Sequence, residues 1–395
     1  MSTSTVASGR RAALIVLDGV GIGAAHDAGE YGDEGSNTLA NTAREVGGFD
    51  LPNLESLGLG TLEHLAGMRA DVLATAARAT LQPASAGKDS TTGHWELCGV
   101  VLDAPFPTYP RGFPHEVIAE FERLTGRPVV GNVVGSGTDI ILRLGDEQVR
   151  SGGLIVYTSA DSVFQVAAHE AVVPLEELYR ACAAARAMLV APHNVSRVIA
   201  RPFEGESGAY HRTPNRRDFS LEPVGETLLD ALEAAGVARH GVGKVDDLFA
   251  ARGISSHHTA DNADGIARIQ AWLHGKESGF LFANLVDFDQ LFGHRNDVAG
   301  FYGALRQFDH ALPSLLSALR EDDLLFITAD HGNDPTTLSS DHARERVPLL
   351  VAGPAVRPVM VGERASFADV GATVAEWFAL DFRGRGTSFL REILA

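Results

Sequence analysis

Carboxylates and imidazoles recur in this chain at the ends of short apolar runs, a placement that could serve chemistry. The run "AALIVL" leads directly into Asp18. A second run gives "NLVDFDQLFGHRND", with Asp287, Asp289 and His294, and a third gives "LLFITADHGND", with Asp330 and His331. Ten residues further on, "SSDHARE" adds Asp341 and His342. Carboxylates gathered in one small volume repel each other, and a divalent cation is the usual remedy. Three aspartates with three histidines suit a borderline ion such as Mn²⁺ or Zn²⁺ better than Mg²⁺ or Ca²⁺, which prefer all-oxygen shells.

His294 lies five residues after Asp289, which on an α-helix would put them on different faces. They can share an ion only if a turn intervenes, and the glycine of "LFGHR" is read as supplying it. Asp18 has two competing readings. The glycines of "LDGVGIG" suggest a dinucleotide-binding loop, but a carboxylate at the strand end would repel a pyrophosphate, and the third glycine in register and the downstream acid are missing. Asp18 could also cap a helix. A further segment, "GKDSTTGHWE" (Gly87 to Glu96), follows a strand-like run, Asp71–Leu81, and offers three hydroxyls in Ser90, Thr91 and Thr92. Beside a cation a hydroxyl becomes a nucleophile because the ion stabilises the alkoxide. Taken alone, the segment reads as a polar loop.

The elements that must position these groups are short strands over Ala12–Leu17, Phe280–Val286 and Asp323–Thr328, each an apolar run flanked by turn residues and so covered on both faces. Helices alternate with them. In "DVAGFYGALRQFDHALPSLLSAL", Phe301, Leu305, Phe308, Leu312 and Leu315 form one apolar stripe behind Asp297 as N-cap. Strand–helix alternation implies an α/β fold with a mostly parallel sheet and helices on both faces, whose ligands gather at the carboxyl ends of the strands. The middle, from Phe106 to Leu221, has its own strand-like runs (Leu154–Thr158, Arg197–Phe203), two helical stretches and a Pro/Gly-rich start. It reads as a smaller α/β domain inserted into the first, which leaves residues 1–105 and 222–395 as the core.

The bulk numbers set limits. A net charge of −18 with no offsetting basic block argues against nucleic acid and anionic membrane as partners. Cys98 and Cys182 form no metal or redox spacing, and no window approaches a membrane span or a signal-peptide core. The chain is read as cytoplasmic and monomeric, with "MSTSTVASGRR" as a loose polar tail.

Together "LDGVGIG", "GKDSTTGHWE", "YTSADSVFQVAAHE", "RVIARPF", "HRTPNRRD", "NLVDFDQLFGHR" and "TADHGNDPTTLSSDHARE" resemble the phosphopentomutases of the alkaline phosphatase superfamily, in matching order from about residue 11 onward. The resemblance implies an alkaline-phosphatase-like core with two Mn²⁺ ions, an inserted cap and a phosphorylated nucleophile. By position it puts one ion on Asp18, Asp330 and His331 and the other on Asp289, His294 and His342, with Ser90 as the nucleophile touching both. It puts Ser159, Asp161, Val163, Arg197, Ile199 and Arg212 of the cap, and Lys244 of "GVGKV", against the sugar phosphate. Four positions depart from the family: Ser90 stands where threonine is usual, Gly19 where serine is more frequent, and Asn37 and Asn41 where an acid and a histidine are common.

Charge supports a mutase. Two divalent ions offset three carboxylates and a phosphoserine of about −1.5 to −2, leaving a loaded site near neutrality. The ions would neutralise the oxygens of a phosphoryl group in flight. Five arginines between Arg197 and Arg217 (Arg197, Arg201, Arg212, Arg216, Arg217) lie in an otherwise acidic chain, and their forks match the substrate's second phosphate. The resemblance thus implies ribose 1-phosphate/ribose 5-phosphate interconversion through a bisphosphate. It further implies activation by a sugar bisphosphate such as glucose 1,6-bisphosphate and a cap whose closure excludes water. The rivals are a cofactor-independent phosphoglycerate mutase or phosphomonoesterase of the same superfamily, and a non-catalytic metal-binding protein.

Overall fold

The computed structural model describes residues 9–159 and 161–394, so the first eight residues of the expected tail lie outside the described residues. Arg11, read with that tail, instead opens a strand and is buried. The chain divides into two compact units. One runs to Ala104 and resumes at Pro223, and the other is Pro105–Glu222. Among the described residues no helix is long and apolar enough to cross a membrane.

The first unit is built on an eight-stranded sheet. Its order is Ser256–His257, Arg239–Val242, Gly279–Leu285, Arg11–Leu17, Asp323–Thr328, Val347–Ala352, Ala77–Leu81 and Met360–Arg364. Only Val347–Ala352 runs antiparallel to its neighbours; the other pairings are parallel. The three expected strands are the adjacent central ones, and every residue in them is buried, as strands covered on both faces must be. The run expected over Asp71–Leu81 forms a strand only from Ala77. Its first half stays outside the ladder, with Leu73 fully exposed.

The expected amphipathic helix spans Val298–Ser317, and Asp297 caps it by accepting from Gly300 N at 2.9 Å. All five stripe residues are buried. Pro313 lies inside this helix and has no N–H for the carbonyl of Asp309 four residues back. That carbonyl accepts from Asn53 Nδ2 at 3.0 Å instead, while the Asp309 carboxylate accepts from the backbone of Asn53 and Leu54 at 3.0 and 2.7 Å. The interruption is therefore hydrogen-bonded rather than left open.

The second unit carries a six-stranded sheet. Helices His115–Thr125 and Leu175–Met188 contribute Val117, Phe121, Leu178 and Cys182 to one apolar cluster, around Phe113 and Phe164. Helix Gly137–Ser151 contributes Ile140 and Ile141 to a second cluster with Tyr157 and Phe203. Alternate strand residues feed the two clusters, so this unit is a sheet covered on both faces as well.

Register is what brings distant acids to one level in the first unit. Arg11 pairs directly with Asp323 in the parallel ladder, and Asp18 and Asp330 each stand seven residues beyond that pair. A slip of one residue would turn every side chain of the strand to the opposite face. The pairing is pinned at its start by a buried ion pair. Arg11 Nε donates to Asp323 Oδ1 at 2.9 Å, a second guanidinium nitrogen meets Asp323 Oδ2, and Nη1 donates to Leu273 O at 2.9 Å. Both side chains are at most 3 % exposed. Removing one partner leaves an unmatched charge in a dry site. Asp323→Ala is expected to cost about 3–5 kcal/mol of unfolding free energy. The double replacement Arg11→Met/Asp323→Leu is expected to cost less than the single changes Arg11→Met and Asp323→Leu summed; denaturant unfolding of the four variants checks both.

Candidate metal centre

Asp18 leaves the strand Arg11–Leu17 into a tight turn, and no helix follows until a one-turn 3₁₀ segment at Ala28–Tyr31. Both competing readings of Asp18 therefore fall: it caps no helix, and the glycines lead into no helix whose N-terminus could receive a pyrophosphate. Gly19 adopts φ +75°, the left-handed region that favours glycine. Its N–H donates to Asp330 Oδ1 at 3.1 Å, and its carbonyl accepts from Asn333 N at 2.9 Å. Gly21 gives room to an acid, since a Cβ there would lie 2.3 Å from Glu345 Oε2.

Around Asp18 the structure gathers groups separated by hundreds of residues. His331 Nε2 lies 3.3 Å from Asp18 Oδ1 and 3.4 Å from Asp330 Oδ2. Asn284 Nδ2 donates to the other Asp18 oxygen at 2.9 Å. A few ångströms on, Asp289 meets His294 Nε2 at 3.1 Å and His342 Nε2 at 3.4 Å, and accepts from Asn333 Nδ2 at 2.6 Å. The imidazoles of His331 and His342 stand 4.2 Å apart between centroids.

The five-residue step from Asp289 to His294 is made by an unexpected device. Phe288–Phe292 is a π-helical turn, continued by a 3₁₀ turn over Gly293–Arg295. A π turn relates residues five apart, so it puts Asp289 and His294 on one side where an α-helix would not. The expected turn does intervene, and Gly293 opens its 3₁₀ part in ordinary right-handed backbone with φ −58°. The missing side chain of Gly293 matters for another reason: a Cβ would lie 2.5 Å from Asn333 Cγ, the amide that holds Asp289.

Electrostatics separates the carboxylates. Burial works against the Asp289 charge, but His342, His294 and His331 outweigh it and hold this carboxyl well below its usual range. Burial pushes the Asp18 carboxyl up, and the neighbouring charge of Asp330 pushes it further. Burial opposes the His294 charge, yet Asp289 raises its imidazole to about 9. Asp18 is thus a buried acid short of positive partners, and Asp330 Oδ2 and His342 Nε2 are buried without a directed hydrogen bond. The donor atoms of Asp289, His294 and His342, and those of Asp18, Asp289 and His331, lie within 4.8 Å of one another in each set. Oxygen and imidazole donors at that spacing around an under-neutralised acid fit divalent cations. Asp287 and Asp341 stand apart from both sets: Asp287 accepts from Asn262 N at 2.7 Å, and Asp341 accepts from His342 N at 2.9 Å.

Ser90 opens the helix Ser90–Leu97, capped by Asp89 through Thr92 N at 3.1 Å. Its hydroxyl lies 3.0 Å from His331 Nε2 and 3.5 Å from Asp18 Oδ1. Thr92 donates its hydroxyl to Asp89 at 2.6 Å, and Thr91 is buried. Two neighbours fix the helix against the centre. A Cβ on Gly93 would lie 2.0 Å from the Asp330 carbonyl oxygen, so only glycine allows this approach. His94, one turn after Ser90 and fully buried, sets Nδ1 2.9 Å from the Ser90 carbonyl oxygen and 3.0 Å from Asp330 Oδ2.

His94 and Glu345 escaped the sequence reading, although both sit within motifs it used. Glu345 is buried and accepts from Thr38 N at 2.9 Å, Thr38 Oγ1 at 2.8 Å and Gly23 N at 3.2 Å; burial pushes its carboxyl up to about 7. The spacing of His94 to Ser90, one helical turn, was the available signal. The departures Asn37 and Asn41 reach the centre at one remove, with Asn37 N and Asn41 Nδ2 donating to Asp334 Oδ2 at 3.0 and 2.6 Å.

Lys244 belongs to the first unit, where its Nζ donates at 2.7 Å to Gln290, the neighbour of Asp289. In the second unit Ser159, Asp161, Val163 and Arg197 come together at one end of the sheet: Ser159 Oγ donates to Asp161 at 3.4 Å, and Val163 pairs with Arg197. Ile199 follows two residues along the same strand and is buried. Arg212 comes from the short strand paired with the far end of Arg197–Glu204. Its guanidinium lies against Gly137, 2.0 Å from where a Cβ there would stand, next to the Tyr157 hydroxyl.

Comparison with known proteins places the chain. The model of the metalloenzyme superfamily matches residues 10–382. A solved phosphoglycerate mutase from Leishmania mexicana superposes with a TM-score of 0.51 at 11 % identity, over 96 % of this chain and 97 % of that one, which shows a shared fold. A phosphopentomutase of Carboxydothermus hydrogenoformans is 56 % identical over 97 % of this chain and 99 % of its own. One from Acetivibrio thermocellus is 54 % identical over 98 % of this chain and its full length. Where likeness to the phosphoglycerate mutase stops at the fold, likeness to these two extends to more than half of all residues from end to end, and the chain belongs to the phosphopentomutase family of the metalloenzyme superfamily.

Proposed function

We propose that this protein interconverts ribose or deoxyribose 1-phosphate and the 5-phosphate through phosphorylated Ser90. The observation that carries the reading is the Ser90 hydroxyl at the start of its helix, 3.0 Å from His331 and 3.5 Å from Asp18, beside two sets of ion-binding side chains. Two Mn²⁺ ions, held by Asp18, Asp330 and His331 and by Asp289, His294 and His342, supply the positive charge that a phosphoryl group in transfer requires. The Ser90 Oγ–P bond breaks as the free sugar hydroxyl bonds to phosphorus, and the proton of that hydroxyl ends on the released Ser90 Oγ, leaving a sugar bisphosphate and a free serine. The bisphosphate then returns its other phosphoryl group to Ser90. A sugar bisphosphate such as glucose 1,6-bisphosphate phosphorylates Ser90 at the outset. At the N-terminus of its helix the phosphoserine also lies at the positive end of the helix dipole.

The second unit, residues 106–221 in the sequence reading, acts as the cap and binds the phosphate that is not reacting, with Ser159, Asp161, Val163 and Ile199 along the sugar. Crowding of guanidinium groups supports this. Burial and the nearby charges of Arg216 and Arg212 push Arg201 down to about 10. Asp218, held by Arg216 at 2.6 Å and 3.8 Å from Arg197, is their shared carboxylate. The Tyr157 hydroxyl beside Arg212 is buried without a directed hydrogen bond. An anion placed among these groups would relieve their repulsion. Lys244 adds a cation near Asp289. The enzyme works as a cytoplasmic monomer.

The reading is tested by isomerisation of ribose 1-phosphate. The wild-type chain is expected to turn it over far faster than 3-phosphoglycerate. Ser90→Ala is expected to lose at least about 10³-fold in kcat while binding metal in the wild-type amount by elemental analysis. Chelation supplies a second check. A cation at 100 times its dissociation constant stabilises the folded state by about 2.7 kcal/mol, so removing two should lower Tm by roughly 5–10 °C, and adding Mn²⁺ back should restore it.

A further inference from the structure

Arg344 stands two residues after His342, is 3 % exposed, and uses every N–H of its guanidinium. Nε and Nη2 donate to the two Asp27 oxygens at 3.0 and 2.8 Å. Nη1 donates to the carbonyls of Ser85 and Gly87 at 2.6 and 2.5 Å, and Nη2 also reaches the carbonyl of Pro83 at 3.0 Å. The group lies flat over Tyr31, 4.7 Å from the ring centroid. Its backbone N–H donates to Asp33 Oδ2 at 2.8 Å, and Asp33 also holds Lys88 Nζ at 2.9 Å. The residue before it, Ala343, exchanges both backbone hydrogen bonds with Gly332, next to His331.

We propose that Arg344 is a positioning residue for phosphoryl transfer: by gripping three carbonyls of the loop that leads into Ser90, it fixes the nucleophile against the segments that carry His331 and His342. The proposal rests on the Ser90 reading above. Three carbonyl oxygens converging on one buried point need a planar, multiply donating cation. A lysine ammonium, with three donors and no fork, cannot hold them together with Asp27. Because a shift of about 1 Å in a reacting group costs on the order of 10²-fold in rate, the grip should register in kcat rather than in substrate binding.

The test uses the full chain loaded with Mn²⁺, comparing Arg344→Lys, Asp27→Asn and Ser90→Ala for kcat, KM, bound metal and the rate of phosphoenzyme formation from glucose 1,6-bisphosphate. Arg344→Lys is expected to lose roughly 10- to 100-fold in kcat and in phosphorylation rate, with KM and bound metal within about twofold of wild type. Asp27→Asn removes only the outer anchor of the same fork and is expected to lose roughly 3- to 10-fold with the same pattern; it decides the question if Arg344→Lys does not fold. Wild-type kcat in either folded variant, or a loss that follows bound metal in proportion, overturns the positioning role. An inactive Ser90→Ala beside a fully active Arg344→Lys removes this proposal alone, whereas full turnover by Ser90→Ala removes the Ser90 reading and the proposal with it.

Discussion

Mutual repulsion among buried carboxylates is the constraint from which the rest of this architecture follows. Asp18 and Asp330 leave neighbouring parallel strands at the same level, Asp289 follows the strand on the other side, and all three are buried. A parallel sheet delivers side chains to this edge and also withholds water from them. The acids must therefore meet positive charge within the site. Three imidazoles supply part of it, His294 and His342 on Asp289 and His331 beside Asp18 and Asp330, while burial still pushes the Asp18 carboxyl up. An arrangement that stabilises one acid through histidines and leaves another buried with a raised carboxyl favours a cation at the same edge.

The hydroxyl is brought to this edge by close approach rather than by charge. Gly93 lets the Ser90 helix touch the Asp330 backbone, and His94 lies between the Ser90 carbonyl and the Asp330 carboxylate. Gly21 and Gly332 similarly admit the Glu345 side chain, whose oxygens hold the start of the helix Thr38–Glu45. Glycines in this chain therefore mark where two segments meet at backbone distance around the metal centre. The Gly19–Gly23 run, which looked like a nucleotide loop, is one such meeting place.

Which parts of this were legible in the sequence follows from the range of the interactions involved. Strands buried on both faces announce themselves as apolar runs, so the three central strands and the acids at their ends could be read directly, as could the helix capped by Asp297. The run Asp71–Leu81 was misleading because only Ala77–Leu81 finds partners in the sheet, and pairing is a property of distant segments. The π turn between Asp289 and His294 was out of reach for another reason. Backbone hydrogen bonding of that kind has no periodic signature over five residues, so the glycine of "LFGHR" pointed to a turn but not to its π-helical form. His94 and Glu345 were harder to find because their partners, Asp330 and Thr38, lie hundreds of residues away in the chain, although the one-turn spacing of His94 to Ser90 was visible.

An acidic chain that handles sugar phosphates must concentrate positive charge locally, and in the proposed reading its two units do so by different chemistry. In the first, carboxylates and imidazoles make a place for cations whose charge is strong and exchangeable, which suits the phosphoryl group that moves. In the second, guanidinium groups crowd around Asp218, with fixed direction and permanent charge, which suits a phosphate that only has to be held. Arginine could not replace the metal, because a guanidinium among three carboxylates would form salt bridges and cancel rather than leave open coordination for the substrate. A metal could not easily replace the arginines, because a site able to bind one would transfer the second phosphate as well. In the proposed reaction the separation of the two kinds of cation is what lets a single hydroxyl give up one phosphoryl group and take back the other.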